Sequence, residues 1–276
     1  MRQTQRQGFV LLMILVLLAL AAAALAGVCR VSLRNALAST EDADELQRRW
    51  GTLSCETAIL PHAETLLQQA EALRRRPMAS LDMDIQLGGQ DFSVRVADEQ
   101  AKLNLNFIYQ TRGRASAETA ARVATRNVGD RLLVTLRPCD VAPPLVSFGQ
   151  VFTSPPATAL AAGANITCWG DGRLNWRRAS AVALAGQCQQ PLGVATGQRL
   201  VALQSANPAP GLADLVNDPQ LAQGQQSVLL IKLLTEQSTC HSIWVVGHGQ
   251  SGAASYDLCI LDQTGDGPAR TMRFSW

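Results

Sequence analysis

The stretch RQGFVLLMILVLLALAAAALAGVCR, residues 6–30, decides how this chain is organised. Residues 9–28 carry no charge, and as a helix rising about 1.5 Å per residue they are long enough to cross a hydrocarbon layer of about 30 Å. Arg2 and Arg6 precede this run, and Arg30 and Arg34 follow it, so the balance of positive charge does not set an orientation. We therefore predict one membrane-spanning helix at the N-terminus.

The rest of the chain is long enough to form a folded head. The chain has 276 residues, a formal net charge of +2 and 17% charged residues. Because it has no basic stripe and no acidic tail, we expect no nucleic-acid partner. Six of its seven cysteines lie beyond residue 30, and an even number suits disulfides in an oxidising compartment, although small buried thiols are the alternative. These six are Cys55, Cys139, Cys168, Cys188, Cys240 and Cys259.

The first 30 residues allow three interpretations. A secretory signal would be cleaved after Ala26, but such signals usually have a shorter apolar part than this one. Lipidation at Cys29 would need a small residue directly before the cysteine, and Val28 stands there. A cut after Gly8 would remove only the basic leader and leave Phe9 as the N-terminus of a retained apolar helix.

The third interpretation rests on a resemblance to the type IV prepilin class. In that class a short basic leader ends in glycine, and phenylalanine and about 20 apolar residues follow. The apolar segment anchors the subunit in the inner membrane and later packs in the core of a fibre. Most members carry glutamate at the fifth mature position, where this chain has Met13.

Apolar spacings of three, four and seven after the membrane run predict that the helix continues to about residue 76. Pro77 would end it, and Gly51 and Pro61 would weaken or kink it. We interpret its leucine stripe as packing against the head. Its polar patch, residues 39–45, reads STEDADE.

Beyond Pro77 the pattern predicts α+β structure. Phe92, Val94 and Val96 alternate with other residues, so they would share one face of a strand. Helices are expected at 113–126 and 178–187. Strands are expected at 83–87, 92–96, 131–136, 165–169, 227–234, 242–247, 256–261 and 271–276.

Two polar segments echo one another: residues 98–106 read DEQAKLNLN, and residues 171–180 read DGRLNWRRAS. Each places a cation, a leucine and an asparagine in order after an acidic turn. Asparagine side chains bind nearby backbone groups and cap helices, so we expect each segment to end a strand and start a helix. This interpretation is structural and involves no chemistry.

The first segment resembles a motif of the K-type minor pseudopilins of the bacterial type II secretion system (general secretion pathway protein K). There an acidic turn is followed by a Gly-Lys-Ile-Asn-Leu-Asn-like sequence. Asp98, Lys102, Asn104 and Asn106 match it, with Ala101 in place of the glycine.

A second family motif, Gly-x-Ile-Asn-x-Asn-Thr-Ala, is matched in part. Gly172 and Asn175 agree with it, whereas Arg177 and Arg178 replace the asparagine and the threonine. The resemblance covers most of the chain outside residues 107–165. K-type subunits characteristically lack the fifth-position glutamate, so Met13 agrees with this subgroup.

The resemblance implies a type IV pilin-like α+β fold with three parts: a prepilin-type leader at 1–8, a membrane-spanning and amphipathic helix at 9–76, and a periplasmic head at 77–276 with an insert at about 107–165. It also implies a single-pass protein of the bacterial inner membrane at the pseudopilus tip. Its partners would be prepilin peptidase, the I-type and J-type minor pseudopilins, the major pseudopilin and inner-membrane lipid. No cofactor is expected.

Some family members bind calcium in the insert, but we do not carry that site over. Calcium needs about six oxygen ligands, and residues 107–147 contain only three acids, Glu118, Asp130 and Asp140. The loop with Asp262 and Asp266 could offer two carboxylates, and an ordinary turn is the simpler interpretation.

An exported or membrane-anchored periplasmic binding or hydrolytic protein, with a signal peptide cleaved after Ala26, is the alternative function. Residues 249–253, GQSGA, lack the final glycine of a hydrolase nucleophile elbow. Cys240, His241 and His248 do not have a common zinc spacing. We therefore expect no enzyme. From local spacing alone, we expect disulfides between Cys168 and Cys188 and between Cys240 and Cys259.

Overall fold

The computed structural model describes residues 3–126, 134, 136, 145–152, 156–206, 210–221, 225–249, 254–265 and 267–276, and side chains from residue 12 onward except those of 189 and 190. Most of the strand predicted at 131–136 lies outside these residues, although Val134 forms an antiparallel bridge with Phe152. Asp130, Cys139, Asp140, Ser251 and Asp266 also lie outside them. The chain forms two compact units, Met1–Arg49 and Trp50–Trp276.

Helix α1 (Gln3–Ile59) includes the predicted membrane segment. It is long and apolar enough to cross a membrane, with a mean hydropathy of 2.8 in its most apolar window and none of that window buried. A 3-10 turn, Leu60–His62, interrupts the helix at Pro61, as predicted, because proline cannot donate the intrahelical hydrogen bond. Helix α2 (Ala63–Arg74) follows, and Arg75 ends it in the left-handed conformation at φ 52°.

Gly51 does not interrupt the helix as Pro61 does, since α1 continues through it. A Cβ atom at this position would lie 2.1 Å from Phe92 Cζ. Glycine is needed there because the helix backbone rests directly on the Phe92 ring. Glycine occupies position 51 because it lets the helix backbone approach the Phe92 ring closely, and not because it breaks the helix.

An antiparallel five-stranded sheet forms the centre of the second unit, in the order β1-β2-β7-β8-β9. Its strands are β1 (Ser80–Leu87), β2 (Gln90–Asp98), β7 (Cys240–His248), β8 (Ala254–Asp262) and β9 (Arg270–Ser275). All five lie where the sequence predicts strands. The α+β class is therefore confirmed, as is the order of a long N-terminal helix followed by an antiparallel sheet.

Apolar residues cover both faces of this sheet. On one face Phe92, Val94 and Val96, together with Ile243 and Val245, pack against the end of α1 and against α2. The shared face predicted for the three β2 residues is thus confirmed. On the opposite face, side chains such as Trp244 and Leu258 pack against the helices inserted between β2 and β7.

These inserted elements are α3 (Leu105–Arg112), α4 (Arg114–Ala124), α5 (Pro156–Ala162), α6 (Ala181–Leu192), α7 (Val194–Gln204), α8 (Leu212–Asn217) and α9 (Gln226–Leu233). Two short parallel pairs join them: β3 (Leu103–Asn104) with β4 (Ile166–Thr167), and β5 (Leu174–Asn175) with β6 (Leu234–Thr235). The helices predicted at 113–126 and 178–187 are confirmed as α4 and α6. The strand predicted at 227–234 is wrong, because this leucine-rich run forms α9, and short apolar runs fit either structure.

Candidate functional site

The two sequence motifs meet at a buried hydrogen bond between Asp98 and Asn175. Asn175 Nδ2 donates to Asp98 Oδ2 at 2.9 Å and to Ser238 Oγ at 3.1 Å. Ser238 Oγ donates to Asp98 Oδ1 at 2.5 Å. Asp98 is 0% exposed and Asn175 is 1% exposed. The motifs therefore form one structural unit in which the end of β2 is tied to the end of β5.

Arg178 joins three carboxylates at this unit. Its guanidinium donates to Glu64 Oε2 at 2.6 Å, to Glu71 Oε1 at 2.7 Å and to Asp98 Oδ2 at 3.2 Å. Glu64 and Glu71 lie on the same face of α2 because they are two helical turns apart. The arginine thereby ties α2 to both motifs.

His241 completes this group, since its Nε2 lies 2.9 Å from Glu64 Oε2. We use the name Asp98 cluster for the seven residues that these contacts connect. They are Glu64, Glu71, Asp98, Asn175, Arg178, Ser238 and His241.

The Asp98 cluster shifts the pKa values of its members. Burial raises the pKa of Asp98, against the opposing effects of the Ser238 hydrogen bond and the nearby positive charges. Burial alone would also raise the pKa of Glu64, but hydrogen bonds from His241 and Arg178 outweigh it and hold that pKa at about 2. Burial opposes the charge of Arg178, yet its hydrogen bonds to Glu71 and Glu64 raise its pKa above the ordinary value. Glu64 and Arg178 therefore form a stable ion pair at neutral pH.

Lys102, the cation of the first motif, forms a second buried ion pair. Its Nζ lies 2.5 Å from Glu99 Oε1, and the two side chains are 2% and 1% exposed. Ser242 Oγ donates to the same oxygen. Glu99 Oε2 has no hydrogen-bond partner within the described residues. Removing Lys102 would leave a buried charge unpaired, which typically costs about 3–5 kcal/mol.

The asparagines of the first motif bind backbone groups. Asn104 caps α3, since its Oδ1 accepts from Phe107 N at 2.9 Å, and its Nδ2 donates to Trp169 O at 2.7 Å. Asn106 Nδ2 donates to Leu145 O at 2.8 Å, and its Oδ1 accepts from Leu145 N at 3.0 Å. The predicted strand-to-helix role of this motif is confirmed at Asn104.

The second motif also ends a strand, β5, and starts a helix, α6, so the predicted strand-to-helix role of residues 171–180 is confirmed. The helix cap is Ser180, which accepts from Ala183 N at 3.2 Å. Asn175 does not cap this helix, because its side chain binds Asp98 across the fold. Gly172 has a φ of +82°, and a Cβ atom there would lie 2.7 Å from Phe107 Cδ2, so only glycine fits.

Gly8 and Phe9 lie within α1, and their side chains are outside the described part of the chain. Cleavage between them stays a prediction. The described side chains that follow present an apolar surface that is unbroken by charge as far as Val28 and is interrupted after it by Arg30 and Arg34. Its large members are Leu12, Met13, Ile14, Leu15, Val16, Leu17, Leu18, Leu20, Leu25, Val28, Val31, Leu33 and Leu37, all exposed.

The four cysteines expected in disulfides are buried free thiols, and burial raises the pKa of each, for Cys188 to about 12. The strand register corrects the Cys240–Cys259 pair. Cys240 lies opposite Asp262 and Cys259 opposite Ile243, so the two side chains point to opposite faces of the sheet, out of reach of a disulfide. The Cys168–Cys188 bond is not formed in the structure and stays a prediction.

Among the described residues there is no group of three His, Cys, Asp or Glu side chains that could hold a metal ion. His241 binds Glu64, and His248 Nε2 lies 3.4 Å from Ser93 Oγ on the sheet surface. The Asp98 cluster therefore has the geometry of a structural site. Its buried charged and polar groups connect α2, the sheet and the insert.

The chain is similar to chains of solved structures. No family model matches the chain, and no curated protein matches it. Among solved structures, the chain is similar to a chain in the crystal structure of the GspK-GspI-GspJ complex from the type 2 secretion system of enterotoxigenic Escherichia coli. The sequence identity is 14%, the similarity covers 86% of this chain and 99% of that chain, and the TM-score is 0.49.

Sequence reasoning missed five members of the site: Glu64, Glu71, Arg178, Ser238 and His241. Arg178 stands out in the sequence only as a departure from the second motif. The two glutamates could have been found, because a spacing of seven residues places two carboxylates on one helix face beside the leucine stripe. Their partner could not, since Arg178 lies more than a hundred residues away in the sequence.

Proposed function

We propose that this chain is a K-type minor pseudopilin of a type II secretion system. Residues 9–28 hold it in the bacterial inner membrane, and its head lies in the periplasm. Prepilin peptidase removes residues 1–8, and the apolar helix then packs with the I-type, J-type and major pseudopilins at the tip of the pseudopilus. This role is structural and needs no catalysis by the chain.

The observation that carries this proposal is the exposed apolar surface of α1. Between Leu12 and Leu37 even the least exposed large apolar side chain, Ile14, is 48% exposed. Leaving such a surface in water costs about 25 cal/mol for each Å². The surface therefore needs lipid or the helices of other subunits to cover it, and a pseudopilin uses both in turn.

The joined motifs support the K-type subgroup. Asp98 and Asn175 belong to two separate family-like segments, and the fold brings them into direct contact at 2.9 Å. A chance likeness in two short segments would not require them to meet. Contact between them supports the interpretation that both segments serve one structural role in the head.

Met13 supports a position at the tip. In a fibre the fifth-position glutamate is thought to neutralise the N-terminal amine of the subunit already in place, which lowers the cost of burying that charge. A subunit at the tip has no predecessor and needs no such acid. An apolar residue at Met13 suits this position.

Mass spectrometry of the mature protein tests the proposal. The chain would be expressed with prepilin peptidase in a bacterium that has a type II secretion system, and its N-terminal peptide identified. The expected N-terminus is Phe9, carrying an N-methyl group. A mature N-terminus at Gly27 would reject the pseudopilin function and support an exported protein.

Two matched variants sharpen this result. Gly8→Val should leave the leader in place and abolish the Phe9 terminus, because a branched side chain replaces the small residue at the cut. Ala26→Phe should have no effect on processing, whereas it would block cleavage by signal peptidase. Co-purification of the wild-type chain with I-type and J-type subunits then tests the partners.

A further inference from the structure

Strand β1 lies at an edge of the five-stranded sheet. It pairs with β2 along its whole length of eight residues, and its other side pairs with no strand in the described part of the chain. A long edge strand is a template for pairing with another chain unless features such as proline or basic side chains protect it. The sequence of β1, SLDMDIQL, contains no proline, lysine or arginine. The opposite edge strand, β9, has six residues and carries Arg270 and Arg273.

The register of β1 shows which backbone groups face its free side. Asp98 N donates to Ala79 O at 2.9 Å, so these two residues form a hydrogen-bonded pair. Such pairs alternate along an antiparallel ladder, so the N–H and C=O groups of Asp82, Asp84 and Gln86 point away from β2. Among the described residues, no turn or loop bonds to these groups. They have the spacing that an added strand uses.

The inner face of β1 is an apolar row that is only partly buried. Its members pack against the core that α1 and α2 cover, and they are Leu81, Met83, Ile85 and Leu87. On the neighbouring strand β2, the apolar side chains of the same face are at most 2% exposed. Apolar side chains on a strand beside β1 would remove the remaining surface of the row from water.

The outer face of β1 and β2 has a net negative charge. Asp82, Asp84 and Asp91 lie on it with one cation, Arg95, whose Nε lies 2.6 Å from Asp82 Oδ1. Asp84 and Asp91 accept hydrogen bonds from a serine hydroxyl and a glutamine amide, both uncharged. Three carboxylates and one guanidinium leave a formal charge of −2 on this face.

This charge distinguishes two kinds of occupant. A second copy of the chain would pair its own β1 with this one, and the acids of both copies would then lie on one face of the joined sheet. Like charges directly opposite one another in a ladder are destabilising. A strand with basic side chains at its outer positions would instead place opposite charges beside Asp82 and Asp84, which stabilises the pairing.

We infer that β1 binds an extended segment of a partner protein whose residues alternate between apolar and basic. The backbone of the segment bonds to the free groups of Asp82, Asp84 and Gln86. Its apolar side chains cover the inner row of β1, and its basic side chains lie beside the acids of the outer face. The inference rests on the free edge of β1 and does not depend on the proposed function.

Fluorescence anisotropy with the full chain in neutral detergent micelles at pH 8 tests this inference. The probe is a fluorescein-labelled peptide of alternating Lys and Val, as long as β1, and it should bind. A peptide with Glu in place of Lys should bind at least about fivefold more weakly. The Lys–Val peptide with N-methyl groups on all its residues keeps its charge but loses its backbone donors. It should bind at least about tenfold more weakly than the unmodified peptide.

Variants then locate the binding. Gln86→Pro removes a donor at the free edge and leaves the ladder with β2 intact, so it should weaken binding of the Lys–Val peptide about tenfold. The double variant Asp84→Asn, Asp91→Asn should weaken it about fivefold. The matched control, Glu41→Gln, Asp42→Asn, removes the same charge from exposed positions on α1 and should bind as the wild type does. Thermal melts show that the variants fold.

Three outcomes would overturn the inference. The wild type could fail to bind the Lys–Val peptide. The N-methylated peptide could bind as tightly as the unmodified one, or Gln86→Pro as tightly as the wild type, which would indicate attraction by charge alone. Sedimentation of the wild type in micelles could show a dimer that Gln86→Pro dissociates, which would identify a second copy as the occupant.

Discussion

Asn175 donates a hydrogen bond of 2.9 Å to Asp98, and neither side chain is more than 1% exposed. The bond joins two segments that the sequence separates by 77 residues. Each segment on its own is a short polar stretch at the end of a strand. Together they fix the position of the insert relative to the sheet.

Replacing Asn175 tests how much this bond contributes. Asn175→Ala leaves the buried Asp98 without one of its donors, so we expect the free energy of unfolding to fall by about 1–3 kcal/mol. Urea unfolding in micelles, followed by tryptophan fluorescence, measures it. Asn217→Ala, which removes an exposed side-chain bond to Ala213 O on α8, is the control and should cost less than about 0.5 kcal/mol. Equal losses would contradict the buried role.

Arg178 is expected to be among the most sensitive charged residues. Arg178→Met leaves Glu64, Glu71 and Asp98 without their shared cation, and breaking such a buried network typically costs about 3–5 kcal/mol. Arg178→Lys should also destabilise, because an ammonium group cannot make the same bidentate contacts. Thermal unfolding measures both. Arg114→Gln removes an exposed pair with Glu118 and should cost at most about 1 kcal/mol.

The Arg178–Glu64 pair should also make stability depend on acid pH. The pKa of Glu64 is lowered from its ordinary value of 4.5 to about 2 in the folded chain, so its contribution is complete above about pH 4.5 and is lost as the pH falls towards 2. Arg178, His241 and Gln68 face this carboxylate. Burial raises the pKa of Asp98, which acts in the opposite direction.

Comparison of the wild type with Glu64→Gln isolates this effect. The wild type should be the more stable at pH 6, and the difference in unfolding free energy should shrink between pH 4.5 and 2.5. Glu41→Gln, at an exposed position on α1, serves as the control for general acid destabilisation. A difference that stays constant with pH would show that Glu64 does not titrate with the ion pair.

Gly51 tests the close contact between α1 and the sheet. Gly51→Ala should stabilise an isolated helix by about 1 kcal/mol. Here the added methyl group would meet the Phe92 ring at 2.1 Å, so we expect a net loss of about 1–3 kcal/mol. The double variant with Phe92→Leu should recover part of it. Gly27→Ala, which meets nothing within 4 Å, should leave the unfolding of the head unchanged.

Much of the architecture follows from local sequence patterns. The period-two alternation of Phe92, Val94 and Val96 fixes a strand and its buried face, and the uncharged run before Cys29 fixes the long helix. Pro61 interrupts the helix because proline has no backbone N–H to donate, and this is true in any structural context. These features could be predicted because a few neighbouring residues decide them.

The wrong predictions depend on distant residues. The run at 227–234 is apolar enough for a buried strand, but it forms α9, with Leu230 and Leu233 one turn apart in the core. From the sequence alone Gly51 resembles a helix breaker. Its role becomes clear only from its contact with the Phe92 ring, which comes from a distant strand. The partners of Arg178 come from α2 and β2, so no reading of the second motif could find them. Cys240 and Cys259 are close in the sequence, but their side chains lie on opposite faces of the sheet.

The sheet has a separate core on each face, and β7 is buried on both. Residues that pack against α1 and α2 therefore do not share neighbours with most residues of the insert. Lengthening or shortening the insert would change one core and leave the other intact. Such an architecture is tolerant of evolutionary change, because the face that packs against α1 and α2 can be kept while the opposite side diverges in size and surface.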